Sequence, residues 1–188
     1  MTDPSIHQPN HQPALFDDAA PPLRLFIGLM PDVEVRRALH SHRARWRWPV
    51  HARLPAPERF HMTLDFLGEV HADRLPALQA ALASVAMPKM RLVLRRPEMW
   101  GVAVLRVEEN AALRELHDRI VLQLWRLGFA ARAEWTPHIT LARKAGAAVA
   151  PANAPPVCWS PKAFSLIWSR LGPVAQYREL ARYPVDAP

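Results

Sequence analysis

The sequence predicts a mixed α+β fold. Three observations carry this. Short apolar or alternating runs of strand length are interleaved with longer stretches whose apolar residues recur at helical spacing. The tetrad His61-Met62-Thr63-Leu64 returns as His138-Ile139-Thr140-Leu141, each copy in an apolar run that reads as a strand, one in each half of the chain. With 188 residues, 50% of them hydrophobic, the chain is long enough for one domain with a sizeable core.

Residues 1–22 are rich in Pro, His, Gln, Asn and Asp and show no periodicity, so a disordered tail is expected there. His7 and His11 read as part of that tail rather than as metal ligands. The folded domain is expected over 23–188. It opens with a buried strand from Leu23 to Leu29. Pro31 and Asp32 start a helix whose stripe carries Val35, Leu39, His42/Arg43 and Trp46. A proline-punctuated approach leads to the first motif strand, about Phe60 to Gly68. Asp73 is expected to cap a second helix bearing Leu75, Leu78, Leu82 and Val85, with Pro76 in its first turn. Met90 to Arg95 and Trp100 to Val107 alternate like strands, with Pro97 and Glu98 in the turn between them. Asn110 suits the cap of a third helix presenting Leu113, Leu116, Ile120, Leu124 and Leu127, and Gly128 ends it. The second motif strand covers His138 to Arg143. A Pro/Ala-rich loop from Ala145 to Pro161 and two closing strands, Ala163–Leu171 and Gln176–Tyr183, complete the domain. Strand–helix–strand units around each tetrad suggest an internal repeat with diverged sequence.

In an extended strand alternate side chains share a face. His61 and Thr63 then point one way and Met62, Leu64 and Phe66 the other; His138 and Thr140 repeat this against Ile139 and Leu141. Two imidazoles across a cleft can serve as general base and general acid in one displacement. The threonine hydroxyls can donate to phosphate oxygens. Asp65 shares the parity of His61, which leaves open whether it orients the site or forms a nearby salt bridge.

Composition narrows the rest. The formal net charge is +7, carried by arginine, with lysine only at positions 89, 144 and 162. Guanidinium groups bind phosphates bidentately, so anionic partners are favoured, although a GC-rich genome, which makes Arg and Ala common, gives the same bias. One cysteine, Cys158, excludes an internal disulfide and fits a reducing compartment. No metal-ligand spacing and no Gly-rich phosphate loop is present, so neither a metal nor a nucleotide cofactor is implied. Without an apolar leader or a run long enough to cross a bilayer, the expectation is a cytoplasmic protein, a monomer, with no membrane association.

The two tetrads resemble the paired motifs of the two-histidine (2H) phosphoesterases. Within them the chain is most similar to the bacterial RNA 2',3'-cyclic phosphodiesterases of the LigT/ThpR type, long described as 2'-5' RNA ligases. Arg24-Leu-Phe-Ile-Gly-Leu resembles that family's first strand, Phe60-His-Met-Thr-Leu-Asp-Phe-Leu-Gly-Glu its first motif, and Thr136-Pro-His-Ile-Thr-Leu-Ala-Arg its second. The resemblance covers about residues 23 to 184. It implies a bilobal α+β fold in which two antiparallel sheets flank a central groove with helices outside. It implies catalysis by His61 and His138, and opening of a 2',3'-cyclic phosphate on RNA ends or small cyclic nucleotides to a 2'-phosphate, with weak 2'-5' joining in reverse. It also implies that Arg143, with Thr63 and Thr140, reaches the phosphate. Strict alternation puts Arg143 on the face opposite His138, which requires the strand to bend or end near Ala142. Which histidine is acid and which is base stays open. A non-catalytic RNA- or nucleotide-binding module using the same groove is the alternative. The Arg45–Trp48 cluster reads either as an RNA surface or, for Trp46, as core; Phe60 and Trp135 read as groove lining or as core.

Overall fold

The computed structural model describes residues 21–130, 134–170, 172 and 176–185. The tail expected over 1–22, with His7 and His11, lies almost wholly outside the described residues. The order of strands and helices is β1 (Leu23–Leu29), α1 (Val33–Ala44), β2 (Met62–Val70), α2 (Leu75–Ala83), β3 (Leu92–Met99), β4 (Val102–Val107), α3 (Ala111–Arg126), β5 (His138–Arg143), β6 (Val157–Trp159), β7 (Ala163–Arg170) and β8 (Gln176–Pro184).

All the strands belong to one antiparallel sheet in the order β6-β3-β4-β5-β2-β1-β7-β8. The expected two sheets are therefore the two four-stranded halves of one curled sheet. Their join between β2 and β5 is a single residue pair, Met62↔Ile139, whereas β1 and β2 run paired from Leu23↔Val70 to Leu29↔Met62. The halves match in connectivity. β1-α1-β2 in one and β4-α3-β5 in the other are each a strand, a helix and an antiparallel neighbour, with the motif strand second. This is the internal repeat suggested by the tetrads.

One face of the sheet is packed. Leu25, Ile27, Met62, Leu64, Leu105, Ile139 and Leu141 lie in one core with Leu39 of α1, Leu78 and Leu82 of α2, and Leu116 and Ile120 of α3. Helix ends follow the sequence at two places. Asp32 accepts a bond from the Val35 N–H at 2.9 Å, and Asn110 does the same for Leu113 at 2.9 Å.

Elsewhere the chain departs from the expectation. A 3-10 turn, Ala72–Arg74, precedes α2, so Asp73 lies inside that turn and does not cap the helix. Val85 packs in the core just beyond the helix end. The β3–β4 turn is at Trp100-Gly101, where Gly101 takes φ +73°; Pro97 and Glu98 lie inside β3. Pro97 is tolerated there because β6 pairs only with Leu92–Leu94, so β3 has one ladder neighbour further along. The short strand β6 lies in the stretch expected to be loop throughout.

Candidate active site

The single pair that joins the halves also sets the geometry of the site. Carried one residue either way, the antiparallel register of Met62↔Ile139 places His61 against Thr140 and His138 against Thr63. Met62 and Ile139 are fully buried on the core side. Their four neighbours lie on the other face and are half-buried.

Each imidazole is held in the same way. Nδ1 of His61 lies 2.8 Å from the carbonyl oxygen of Arg59, and Nδ1 of His138 lies 2.7 Å from that of Thr136. A carbonyl can only accept, so each Nδ1 carries a proton and donates it. In the neutral ring the remaining nitrogen, Nε2, then has a free lone pair. When the ring is charged, Nε2 holds the transferable proton.

The surroundings keep both rings from charging easily. Burial holds His61 below the ordinary histidine value; the bond to the Arg59 carbonyl opposes this, while the charges of Arg143, His138 and Arg59 add to it. His138 is lowered mainly by burial, opposed by the Thr136 carbonyl and reinforced by Arg106 and Arg143. Arg143 is thus close enough to act on both histidines.

Arg143 reaches this face by a β-bulge. Val104 pairs with Thr140 and Ala103 with Ala142, which leaves Leu141 as the extra residue. Leu141 and Ala142 are consecutive buried residues, alternation inverts, and Arg143 emerges exposed on the side of His138 and Thr140. Its backbone is clamped to Arg53 by reciprocal bonds of 2.8 and 2.9 Å. The first motif has the same irregularity. Gly28 pairs with Thr63 and Ile27 with Asp65, and Leu64 is the extra residue. Asp65 is therefore turned inward and buried, and Phe66 outward, the reverse of strict alternation. Asp65 accepts a bond from the Phe66 N–H at 2.7 Å and also acts electrostatically on His117 of α3.

Six residues around the histidines carried no warning in the sequence. Phe26 and Tyr177 frame the His61 ring at centroid distances of 4.8 and 5.2 Å. The Arg59 guanidinium lies over Tyr177 at 5.4 Å. Trp100 meets His138 edge to face at 4.9 Å, its indole N–H donating to Glu98 at 2.9 Å, and Glu98 also pairs with Arg106 at 2.9 Å. Long-range strand pairing brings Phe26, Tyr177, Glu98 and Arg106 to the site, Arg106 pairing directly with His138, while Trp100 comes from the β3–β4 turn and Arg59 from the 3-10 turn before β2. The Arg45–Trp48 cluster uses its aromatics for packing. Trp46 is buried, stacks on Trp48 at 5.0 Å and donates to Nδ1 of His42 at 3.3 Å. Phe60 is core, with the Arg43 guanidinium 4.9 Å from its ring centroid. Among the described residues no group of three or more His, Cys, Asp or Glu could hold a metal ion, and no helix is long and apolar enough to cross a membrane.

A curled antiparallel sheet that presents a repeated His-x-Thr pair across its midline defines the class of the two-histidine phosphoesterases. The model of the 2'-5' RNA ligase superfamily matches residues 30–172, and the chain belongs to that family. It is 32% identical over 133 residues to the RNA 2',3'-cyclic phosphodiesterase of Escherichia coli, an alignment covering 68% of this chain and 76% of that one. It is 36% identical over 103 residues to the RNA 2',3'-cyclic phosphodiesterase of Aeropyrum pernix, of whose length it spans 58%, with 50% of this chain aligned. Among solved structures it resembles E. coli LigT complexed with 3'-AMP, with a TM-score of 0.77 and 28% identity over 88% of this chain and 99% of that one.

Proposed function

We propose that the protein is a metal-independent RNA 2',3'-cyclic phosphodiesterase, a single catalytic domain over 23–188 that works in the cytoplasm as a monomer and opens a 2',3'-cyclic phosphate to a 2'-phosphate. The observation that carries this reading is the matched pair of imidazoles, each with Nδ1–H committed to a carbonyl and Nε2 left for proton transfer. One neutral Nε2 takes a proton from water as its oxygen bonds to phosphorus. The other imidazole, protonated, gives its Nε2 proton to the ribose oxygen as the P–O bond breaks. Thr63, Thr140 and Arg143 donate to the non-bridging oxygens as charge gathers there. Burial and the nearby guanidiniums favour neutral imidazoles in the unliganded site. An arriving phosphate anion offsets the guanidinium charge and restores the proton affinity that the acid needs. In reverse, the same groups would join a cyclic phosphate to a 5'-hydroxyl.

The test is incubation with a 2',3'-cyclic mononucleotide in EDTA, followed by phosphorus NMR. Formation of the 2'-phosphate is expected. Binding without turnover would favour a non-catalytic nucleotide-binding module. Activity that is lost on chelation and restored by one divalent ion would require a different mechanism.

A further inference from the structure

We infer that Trp135 is a positioning residue that clasps the two halves of the sheet together and thereby sets the approach of the two imidazoles. Trp135 is in the segment that leads into β5, yet its indole N–H donates to the backbone carbonyl of Thr63 in β2 at 3.0 Å. This bond spans the β2–β5 junction, where the two strands share the single ladder pair Met62↔Ile139. The indole thus supplies a cross-strand hydrogen bond beyond the point where the ladder stops.

The indole is also fixed from behind. The His117 ring of α3 stacks on it at a centroid distance of 3.9 Å, with the planes 5° apart. From Trp135 the route to the site is short. The next residue, Thr136, supplies the carbonyl that holds Nδ1 of His138, and the carbonyl of Pro137 accepts the Val107 N–H at 3.4 Å. The backbone of Thr63 is therefore linked to the second imidazole through one indole and one peptide unit. The Arg53–Arg143 clamp ties the chain before β2 to the end of β5 on the other side of the Met62↔Ile139 pair, and the indole bond ties the seam on the side of Thr63 and His138. A tryptophan suits this role because it combines a large flat face for stacking with a single N–H at the far edge.

The kinetic part of the test rests on the cyclic phosphodiesterase reading; the titration part does not. Trp135→Phe keeps an aromatic ring against His117 and removes the N–H. With a 2',3'-cyclic mononucleotide, kcat is expected to fall by about tenfold or more with KM changed less than about twofold, since geometry in the transition state is lost and ground-state contacts remain. NMR titration of the histidines, without substrate, reads the clasp directly. The shift in the His61 pKa caused by His138→Ala should shrink in the Trp135→Phe background, because the two rings are no longer held at one spacing. In the unaltered protein the Trp135 indole N–H should exchange with solvent much more slowly than an exposed indole, a measurement that stands even if the variant does not fold. Fast exchange, or an unchanged His61–His138 coupling in folded Trp135→Phe, would overturn the inference. Failure of the wild-type protein to hydrolyse the nucleotide, with the coupling loss intact, would count against the phosphodiesterase reading alone.

Discussion

Leu64 and Leu141 hold equivalent places in the two halves: each is the last residue of its tetrad and the extra residue of a bulge against the neighbouring strand. Each bulge inverts the alternation that follows it. Beyond Leu141 it brings Arg143 back to the face of His138; beyond Leu64 it brings out Phe66, over which the Arg24 guanidinium lies at 4.4 Å. The two halves thus present an arginine and an aromatic ring at corresponding positions.

Arg143→Lys should lower kcat/KM for a cyclic nucleotide by at least about tenfold, because an ammonium cannot reproduce a bidentate fork. Thr63→Val and Thr140→Val should each cost about one to three orders of magnitude, by analogy with the loss of one oxyanion donor. Valine keeps the β-branched shape, so melting temperatures should barely move. Wild-type rates in both threonine variants would remove the hydroxyls from the chemistry.

His61→Ala and His138→Ala should each reduce turnover by about two to four orders of magnitude. The double variant should be little worse than either single one, since the pair acts as a unit. A folded single variant with near-full activity is the result that would sink the two-histidine mechanism.

Anion binding should take up protons. Both imidazoles are held below the ordinary histidine value in the free site, and Arg143 contributes to the depression of each. A bound phosphate raises their proton affinity, so inorganic phosphate or a 2'-nucleotide should bind more tightly as pH falls toward about 6, close to the unperturbed histidine value. Calorimetry in buffers of different ionisation enthalpy should show net proton uptake. In Arg143→Gln the uptake should shrink. Turnover should trace a bell against pH whose limbs belong to the coupled pair rather than to either residue.

Gly28→Ala should damage both stability and activity. A Cβ at Gly28 would sit 2.9 Å from the Met62 carbonyl oxygen, a backbone atom that cannot step aside. The strain should cost about 1–3 kcal/mol in denaturant unfolding. It should also push β2, and with it His61 and Thr63, out of place. An alanine variant with wild-type kinetics would show that the strands have room to part.

Acid should weaken the fold through His42. Its Nδ1 accepts the Trp46 indole N–H, which only a neutral ring can do, and burial followed by the Arg45 charge lowers its pKa. The unfolded chain therefore binds the extra proton first. Stability from this group is complete above about pH 6.5, is lost as pH falls toward the depressed folded-state value, and levels off below it. The melting temperature should fall as pH drops below about 6.5, the unfolded histidine value, and the fall should be smaller in His42→Leu. An equal fall in both would clear His42.

The parts of this fold that depend on local pattern were readable in advance. Asp32 and Asn110 cap where their side-chain chemistry says they should, and the motif strands expose alternate residues through Thr63 and Thr140. The bulges were not readable. Neither Leu64 nor Leu141 carries a glycine or proline beside it to signal one, and an extra residue is defined only by the partner strand. The same holds for β6, three residues in a Pro/Ala-rich stretch that become a strand through pairing with Leu92–Leu94. Phe26, Tyr177 and Trp100 reach the histidines through registers that no local window contains.

The strand pair at the centre has a local pseudo-dyad passing between Met62 and Ile139, and the imidazoles, the threonine hydroxyls and the bulged leucines are exchanged by it. A phosphodiester carries a matching symmetry, since its two bridging and two non-bridging oxygens are also exchanged by a twofold axis through phosphorus. A site built this way has no intrinsic entering or leaving side for the nucleophile. The handedness of the reaction must come from the places where the two halves differ, such as Phe66 opposite Arg143 and Tyr177 opposite Trp100.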